Sequence, residues 1–562
     1  MSRAPAVSPR AARRALAAIF AAALALRLVH VGWGLPSYVL PDEALLFVGP
    51  AAAVARGTGL VPVSFLHPPV LVYLLAGVYR TAAFVTGASL DLGGPAGHAT
   101  LARLALLGRA TAAVTGALTV LPLFALARHL AGTRAALLAA AAMAVVPFHV
   151  LESHRVNPDG ASLVLMLCAA ERAVAALTRA SPWPVLAAFA LAGLAGATKY
   201  TGLAAAAVPA ALLLGTREGP RAQRVGLVAA GALAVAAGFA LGMAPAAFAP
   251  GRVVDGMRAL ATFGYADVPP GEALPRTVWT GVRFLYPLVA SLPFILGWPL
   301  HLLGLAGAVA LARRSRVAAL VLAAGTVPVF LVVGASPLAV ARYYMPIVPY
   351  LVLAAGAVLD RLAARAPRAG GVAAALVLGY TALLAVAQVG RMGFGPERAA
   401  AARLEARAAT ARAAGTPLVV AFPSPVALAY DPLGPALRAA DVTIVYFPRA
   451  LQPPSGVRPA NADEGGPEAA AAERAWLDDA RVDVVVLPSW VRHAIVRAGP
   501  SPAAGFHRRL ASGALGFERV ADLRTTFPTA ALYTWADPKL DGAFEAGIVG
   551  YELFARPPGA RR

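Results

Sequence analysis

The sequence predicts a polytopic α-helical membrane protein, with about eleven transmembrane helices, followed by a C-terminal extracytoplasmic α/β domain. Three observations predict it. The 562-residue chain is 59% hydrophobic and only 14% charged, with a mean hydropathy of +0.68, well above what a soluble core requires. Apolar runs long enough to cross about 30 Å of hydrocarbon, which takes roughly 20 helical residues, recur from Arg13 to about Val389. Beyond Arg391 they stop, and short β-branched runs alternate with helical stretches.

Spans are expected near residues 14–33, 104–127, 135–150, 160–177, 183–198, 200–216, 225–248, 285–311, 317–334, 343–359 and 370–389. A cytoplasmic N-terminus puts the clusters Arg128/Arg134, Arg172/Arg179, Arg217/Arg221/Arg224, Arg313/Arg314/Arg316 and Arg361/Arg365/Arg368 on the cytoplasmic side, as the positive-inside rule requires. The apolar segment 68–85 then cannot cross, because one more span would invert every later loop. Arg80 and the Pro68-Pro69 pair fit an interfacial or re-entrant segment there. The basic start has no recognisable cleavage site and reads as a first membrane helix.

The net charge of +21 does not point to nucleic acid. Residues 1–391 hold 30 basic and 11 acidic groups, and the basic ones collect largely in short loops rather than in a groove-facing stripe. Only two lysines occur, Lys199 and Lys539, and with abundant Ala, Gly and Pro this suggests a GC-rich bacterial genome and a bacterial inner membrane. The single cysteine, Cys168, excludes an intrachain disulfide and a multi-cysteine metal site.

This topology sends most membrane-half acids (Asp42, Glu43, Asp91, Glu152, Asp159, Asp255, Asp267 and Glu272) into outer loops, of which 34–102, 151–159 and 249–284 are long or polar. Chemistry is therefore expected outside. Asp42-Glu43 lies just past the first span, where a carboxylate pair is either solvated loop or held for work. His67, before Pro68-Pro69, can fold back toward those acids, although the prolines also simply set a turn and a helix start. Asp159 sits at the mouth of the fourth span, where a helix N-cap and an active-site role are compatible. Lys199, followed by Tyr200, runs against the charge rule on the outer side unless an anion compensates it. Arg342, followed by Tyr343, sits outside at the tenth span, where a guanidinium suits a bidentate phosphate contact or headgroup anchoring.

The tail carries helix 396–414 and the β-branched runs 418–422, 442–446 and 482–487, which suggest a small α/β domain with a partly parallel sheet. Residues 452–470 read as a loop, and no glycine-rich phosphate loop is present.

At Asp42-Glu43, His67-Pro68-Pro69, Pro158-Asp159, Thr198-Lys199-Tyr200 and Arg342-Tyr343, in that order over some 350 residues, the chain resembles the GT-C superfamily, specifically the protein-mannosyltransferase-like and aminoarabinose-transferase-like glycosyltransferases (glycosyltransferase family 39 type). The resemblance implies residues 1–390 as a GT-C catalytic domain and 391–562 as an outer α/β domain. It implies a sugar on a polyprenyl-phosphate donor, inversion at the anomeric carbon, and an acceptor hydroxyl on a glycan, lipid or protein. By the same resemblance Asp42 is the general base, Glu43 and Asp159 shape the site, Lys199 and Arg342 steady the leaving phosphate, and His67, Tyr200 and Tyr343 contact substrate. Some relatives carry a lysine where this chain has His67, which leaves the donor's identity open. The Trp-Trp-Asp type motif of the oligosaccharyltransferase branch is absent beside Trp490, and no cofactor or essential metal is expected. A secondary transporter would show internal repeats, which are not found; a non-catalytic envelope assembly protein would tolerate loss of Asp42 and Asp159.

Overall fold

The computed structural model describes residues 7–36, 42–59, 61, 65–93, 96–178, 181–216, 220–262, 284–335, 341–393, 396–422, 442–448, 467–488, 502–523 and 550–557. Most of the segment 249–284, most of the segment 452–470, Trp490 and Lys539 lie outside them. Helices dominate the first 393 residues.

Helix α1 (Pro9–Leu28) starts where Pro9 occupies the first turn and the Ser8 hydroxyl accepts from the Ala11 N–H. A short π-helical turn (Glu43–Val48) leads into α2 (Gly49–Arg56), and α3 (Val70–Thr86) follows Pro68-Pro69. Along α3, Leu71, Val72, Leu75, Ala76 and Tyr79 pack with Phe47, Ala51 and Leu104, while Leu74, Phe84 and Val85 are exposed.

Helices α4 (Gly97–Leu118) and α5 (Val120–Ala131) run on through Thr119 as one 35-residue apolar stretch. At 1.5 Å per residue this is about 50 Å, so it outruns a bilayer core. Then come α6 (Thr133–Ala144), α7 (Pro147–Glu152), α8 (Asp159–Ala175) and α9 (Trp183–Thr198). At Lys199 the backbone turns extended (φ −151°, ψ 130°), and a 3-10 segment (Tyr200–Ala206) opens α10 (Ala207–Gly215). The remaining helices of this half are α11 (Arg221–Gly242), α12 (Pro250–Thr262), α13 (Leu292–Leu296), α14 (Trp298–Ala312), α15 (Arg316–Ala335), α16 (Val348–Arg365) and α17 (Pro367–Gly393).

Helix occupies part of every segment expected to span. Among the described residues, six stretches are long and apolar enough to cross alone: Gly97–Ala131, Asp159–Thr178, Arg221–Gly242, Arg316–Ala335, Ala341–Arg365 and Pro367–Gly390. The expected span 285–311 is not one straight helix. Between its halves, Pro287–Leu296 and Trp298–Ala312, the path bends by 116°. Gly297 makes the break, with φ +78°, a backbone conformation that side-chain-bearing residues avoid.

Helix α18 (Pro396–Ala413) leads into a five-stranded sheet of order β2-β1-β3-β5-β4. Strands β1 (Val419–Phe422), β2 (Thr443–Tyr446) and β3 (Val484–Pro488) are parallel, and fall on the three expected runs. Strands β4 (Glu518–Leu523) and β5 (Tyr551–Ala555) add an antiparallel edge. Side chains alternate along β3. Val484 and Val486 pack toward Leu404 and Ala408 of α18, whereas Val485 and Leu487 pack toward Leu477, Phe506 and Leu510 of the helices Pro467–Asp479 and Pro502–Ala511. Arg398 at the start of α18 donates to the carbonyls of Gly32 and Leu35, tying this part to the end of α1.

Candidate active site

The scaffold of the site is a salt bridge that no motif announced. Arg109, near the middle of α4, donates to Glu43 from Nε (3.0 Å to Oε1, 3.2 Å to Oε2) and from Nη2 (2.7 Å to Oε2), and the Val156 N–H donates to Oε1 at 2.8 Å. Arg109 is 0% and Glu43 1% exposed. Arg109 also donates to the Trp33 carbonyl and lies over the Trp33 ring, while the Trp33 indole N–H donates to the carbonyl of His154. The end of α1, the first acidic motif, α4 and the loop 151–159 are thus fastened at one point. Both Glu43 oxygens accept from these buried groups, so Glu43 belongs to the framework and not to the exposed surface of the site.

Its neighbour Asp42 faces the other way. Its side chain is half exposed, and Arg342 Nη1 stands 3.9 Å from its Oδ2. Arg342 lies in a 3-10 turn (Ala341–Ile347) ahead of α16, three hundred residues along the chain. Tyr343, next to it, receives two cations, Arg342 with Cζ 5.7 Å and Lys199 with Nζ 5.5 Å from its ring centre.

Lys199 donates to Asp159 Oδ1, and both side chains are about nine-tenths buried. The pair exists because α9 stops at Thr198 and because α8 begins at Asp159. Asp159 is the first helical residue rather than the N-cap expected as one reading: Pro158 holds the cap position, and Asn157 Oδ1 accepts the Asp159 N–H at 3.0 Å. An acid in the first turn is favoured by the helix dipole. The Tyr200 hydroxyl donates to the Phe65 carbonyl at 3.0 Å, which brings the loop carrying His67 against the Lys199 turn.

His67 packs on the Phe47 ring, 5.4 Å between centres. Burial lowers its pKa to about 4, helped by the nearby charges of Lys199 and Arg342 and opposed by Asp159. His67 is therefore neutral at pH 7. Glu152 is held by Arg155 and Asn157 (Arg155 Nη1 to Oε1 2.9 Å, Asn157 Nδ2 to Oε2 3.0 Å), and it feels Arg342, Asp159 and Lys199 as well.

The structure therefore assembles Asp42, His67, Asp159, Lys199, Tyr200, Arg342 and Tyr343 around one place and sets Glu43 behind it. Arg109, Glu152 and Arg155 were not among the expected site residues. Arg109 had a signal, a lone cation inside the apolar run 104–127, which demands a buried partner. Chemically the cluster offers an accessible carboxylate, Asp42, beside an arginine, and a lysine that a second carboxylate holds against the same tyrosine ring. That is the arrangement for taking a proton from one group while an oxyanion departs from another.

Residues 105–241 match the sequence profile of the family described as dolichyl-phosphate-mannose-protein mannosyltransferase, a segment that contains Arg109, Glu152, Arg155, Asp159, Lys199 and Tyr200. The similarity to this glycosyltransferase family extends over that segment, about a quarter of the chain. Among solved structures, the chain is similar to the Archaeoglobus fulgidus oligosaccharyltransferase tethered with an acceptor peptide, at 15% identity and a TM-score of 0.50 over 88% of this chain and 72% of that one. It is also similar to ArnT from Cupriavidus metallidurans bound to undecaprenyl phosphate, at 18% identity and a TM-score of 0.48 over 67% of this chain and 71% of the other. At 15% identity the likeness to the oligosaccharyltransferase is one of fold alone. No curated protein sequence matches the chain.

Proposed function

We propose that the protein is an inverting glycosyltransferase that moves a hexosyl or pentosyl group from a polyprenyl-phosphate donor to an acceptor hydroxyl at the extracytoplasmic face. The observation that carries this reading is the meeting of Asp42 with Arg342, and of Asp159 with Lys199, beneath the ring of Tyr343.

In this reading Asp42 accepts the proton of the acceptor hydroxyl, whose oxygen attacks the anomeric carbon from the face opposite the phosphate. The bond between that carbon and the phosphate oxygen breaks, and its electron pair leaves with the phosphate. Lys199 and Arg342 receive the charge that develops there, where fixed cations stabilise the transition state more than the ground state. Asp159 holds Lys199 in place, Tyr343 orients both cations, and neutral His67 with Tyr200 borders the sugar without adding charge. The carrier tail lies in the bilayer.

The same reading keeps eleven spans, a cytoplasmic N-terminus, a surface-lying α3 and a bacterial inner membrane. Residues 1–390 form the catalytic domain, and 391–562 form an outer α/β domain. The 17 residues of α3, with exposed Phe84 and Val85 and the exposed cation Arg80, support its lying along the surface.

The test is to supply purified protein with radiolabelled sugars on polyprenyl phosphate and to separate products into lipid, glycan and protein. Label appearing in one fraction supports the reading and names the acceptor class. No transfer from any such donor contradicts it and favours a transporter or an assembly protein.

A further inference from the structure

Arg155 is buried, 8% exposed, yet its guanidinium is only half used. Nη1 donates to Glu152 Oε1, while Nε and Nη2 have no hydrogen-bond partner among the described residues. Those two nitrogens form the side edge of the guanidinium, whose parallel N–H groups match two oxygens of one anion. Arg109 shows the same edge in use a short way off, where Nε and Nη2 together grip the Glu43 carboxylate. In Arg155 the same edge is buried and makes no hydrogen bond among the described residues. Buried donors left without partners are costly, so this edge is expensive to keep unless a ligand fills it.

Its surroundings say which ligand. Glu152, the partner of Arg155, has its other oxygen taken by Asn157 Nδ2, so it cannot turn to cover the open edge without losing that bond. The charges that Glu152 feels besides Arg155 are Arg342, Lys199 and Asp159, the groups of the site itself. Each of the other two cations already has an acid beside it, Asp159 for Lys199 and Asp42 for Arg342. Of the three, Arg155 is the one with buried guanidinium nitrogens that have no hydrogen-bond partner among the described residues.

We propose that the Nε and Nη2 edge of Arg155 is a seat for two oxygens of the donor's phosphate, so that Arg155, with Lys199 and Arg342, holds the phosphate that leaves. The proposal rests on the lipid-phosphate reading above and adds a residue to it. A lysine at 155 keeps the charge but lacks the planar edge, and so separates geometry from charge.

The test measures the affinity of the full-length protein in detergent for undecaprenyl phosphate and for neutral undecaprenol, in wild type, Arg155→Lys and Arg155→Ala, with each variant's thermal unfolding recorded alone. Wild type should prefer the phosphate lipid. Both variants should bind undecaprenyl phosphate about 10- to 100-fold more weakly, as loss of hydrogen bonds to a charged group implies, and bind undecaprenol unchanged. Unchanged affinity for the phosphate lipid overturns the Arg155 seat and leaves the donor reading standing. Equal weakening toward both lipids also overturns it, because that is the mark of a merely structural arginine. A wild type that does not distinguish the two lipids overturns the donor reading, and the seat with it.

Discussion

Arg109 holds Glu43 through Nε and Nη2 while Asp42, one residue earlier, stays half exposed opposite Arg342. The acidic pair that looks like a single motif in the sequence thus divides into a framework residue and a chemical one. Breaking a buried pair leaves an uncompensated charge, which costs about 3–5 kcal/mol. Glu43→Ala and Arg109→Ala should each lower thermal stability in detergent by that order. A double-mutant cycle should show strong coupling, and additive losses would contradict the pairing.

Lys199 and Asp159 act as one unit, so their losses should not add. Lys199→Met should lower kcat by about 100-fold or more, as removal of one donor to a developing oxyanion does. Asp159→Asn should lower it less, and the double variant should be no worse than Lys199→Met alone. Steady-state transfer kinetics check this, and multiplicative losses would separate the two roles.

How much of this was legible beforehand follows from what each signal needs. Helix-length apolar runs and the parallel β-branched strands are local, and the residues of 418–422, 442–446 and 482–487 lie where they were expected. The segments around Asp42, His67, Asp159, Lys199 and Arg342 were each visible as polar interruptions. Their meeting was implied by resemblance, not by any periodicity. The break at Gly297 was hidden because an apolar run reads the same whether straight or bent. Strands β4 and β5 were missed because Glu518–Leu523 holds three charged residues and a single β-branched one and Tyr551–Ala555 holds no β-branched residue. The division of labour between Asp42 and Glu43 depends on Arg109, 66 residues away from Glu43, and no local pattern carries that.

His67 gives the fold a pH signature. Its folded pKa, about 4, lies below its ordinary value of 6.5, so the unfolded chain binds more protons between those two values. Its contribution to stability is then fully present above about pH 6.5 and is lost as pH falls toward 4. Wild type should lose thermal stability across that window more steeply than His67→Gln, and parallel curves would show that His67 is not buried neutral.

Gly202 lets the turn after Lys199 close on α9. A Cβ there would stand 2.4 Å from the carbonyl carbon and oxygen of Ala195 and 2.8 Å from Ser162 Oγ. Gly202→Ala should destabilise the protein by about 1–3 kcal/mol, the usual cost of overpacking, and should lower transfer by displacing Lys199. An unchanged melting temperature and rate would mean that the helices separate there at no cost.

The most direct measurement is the rate of sugar transfer from a polyprenyl-phosphate donor by purified Asp42→Asn beside wild type, with both proteins shown to be equally folded. Asparagine keeps the shape and removes the base. A loss of about 100-fold or more, the usual contribution of a general base, is the predicted result. Equal rates in the two proteins would contradict the assignment of Asp42 and with it the account of how this site works.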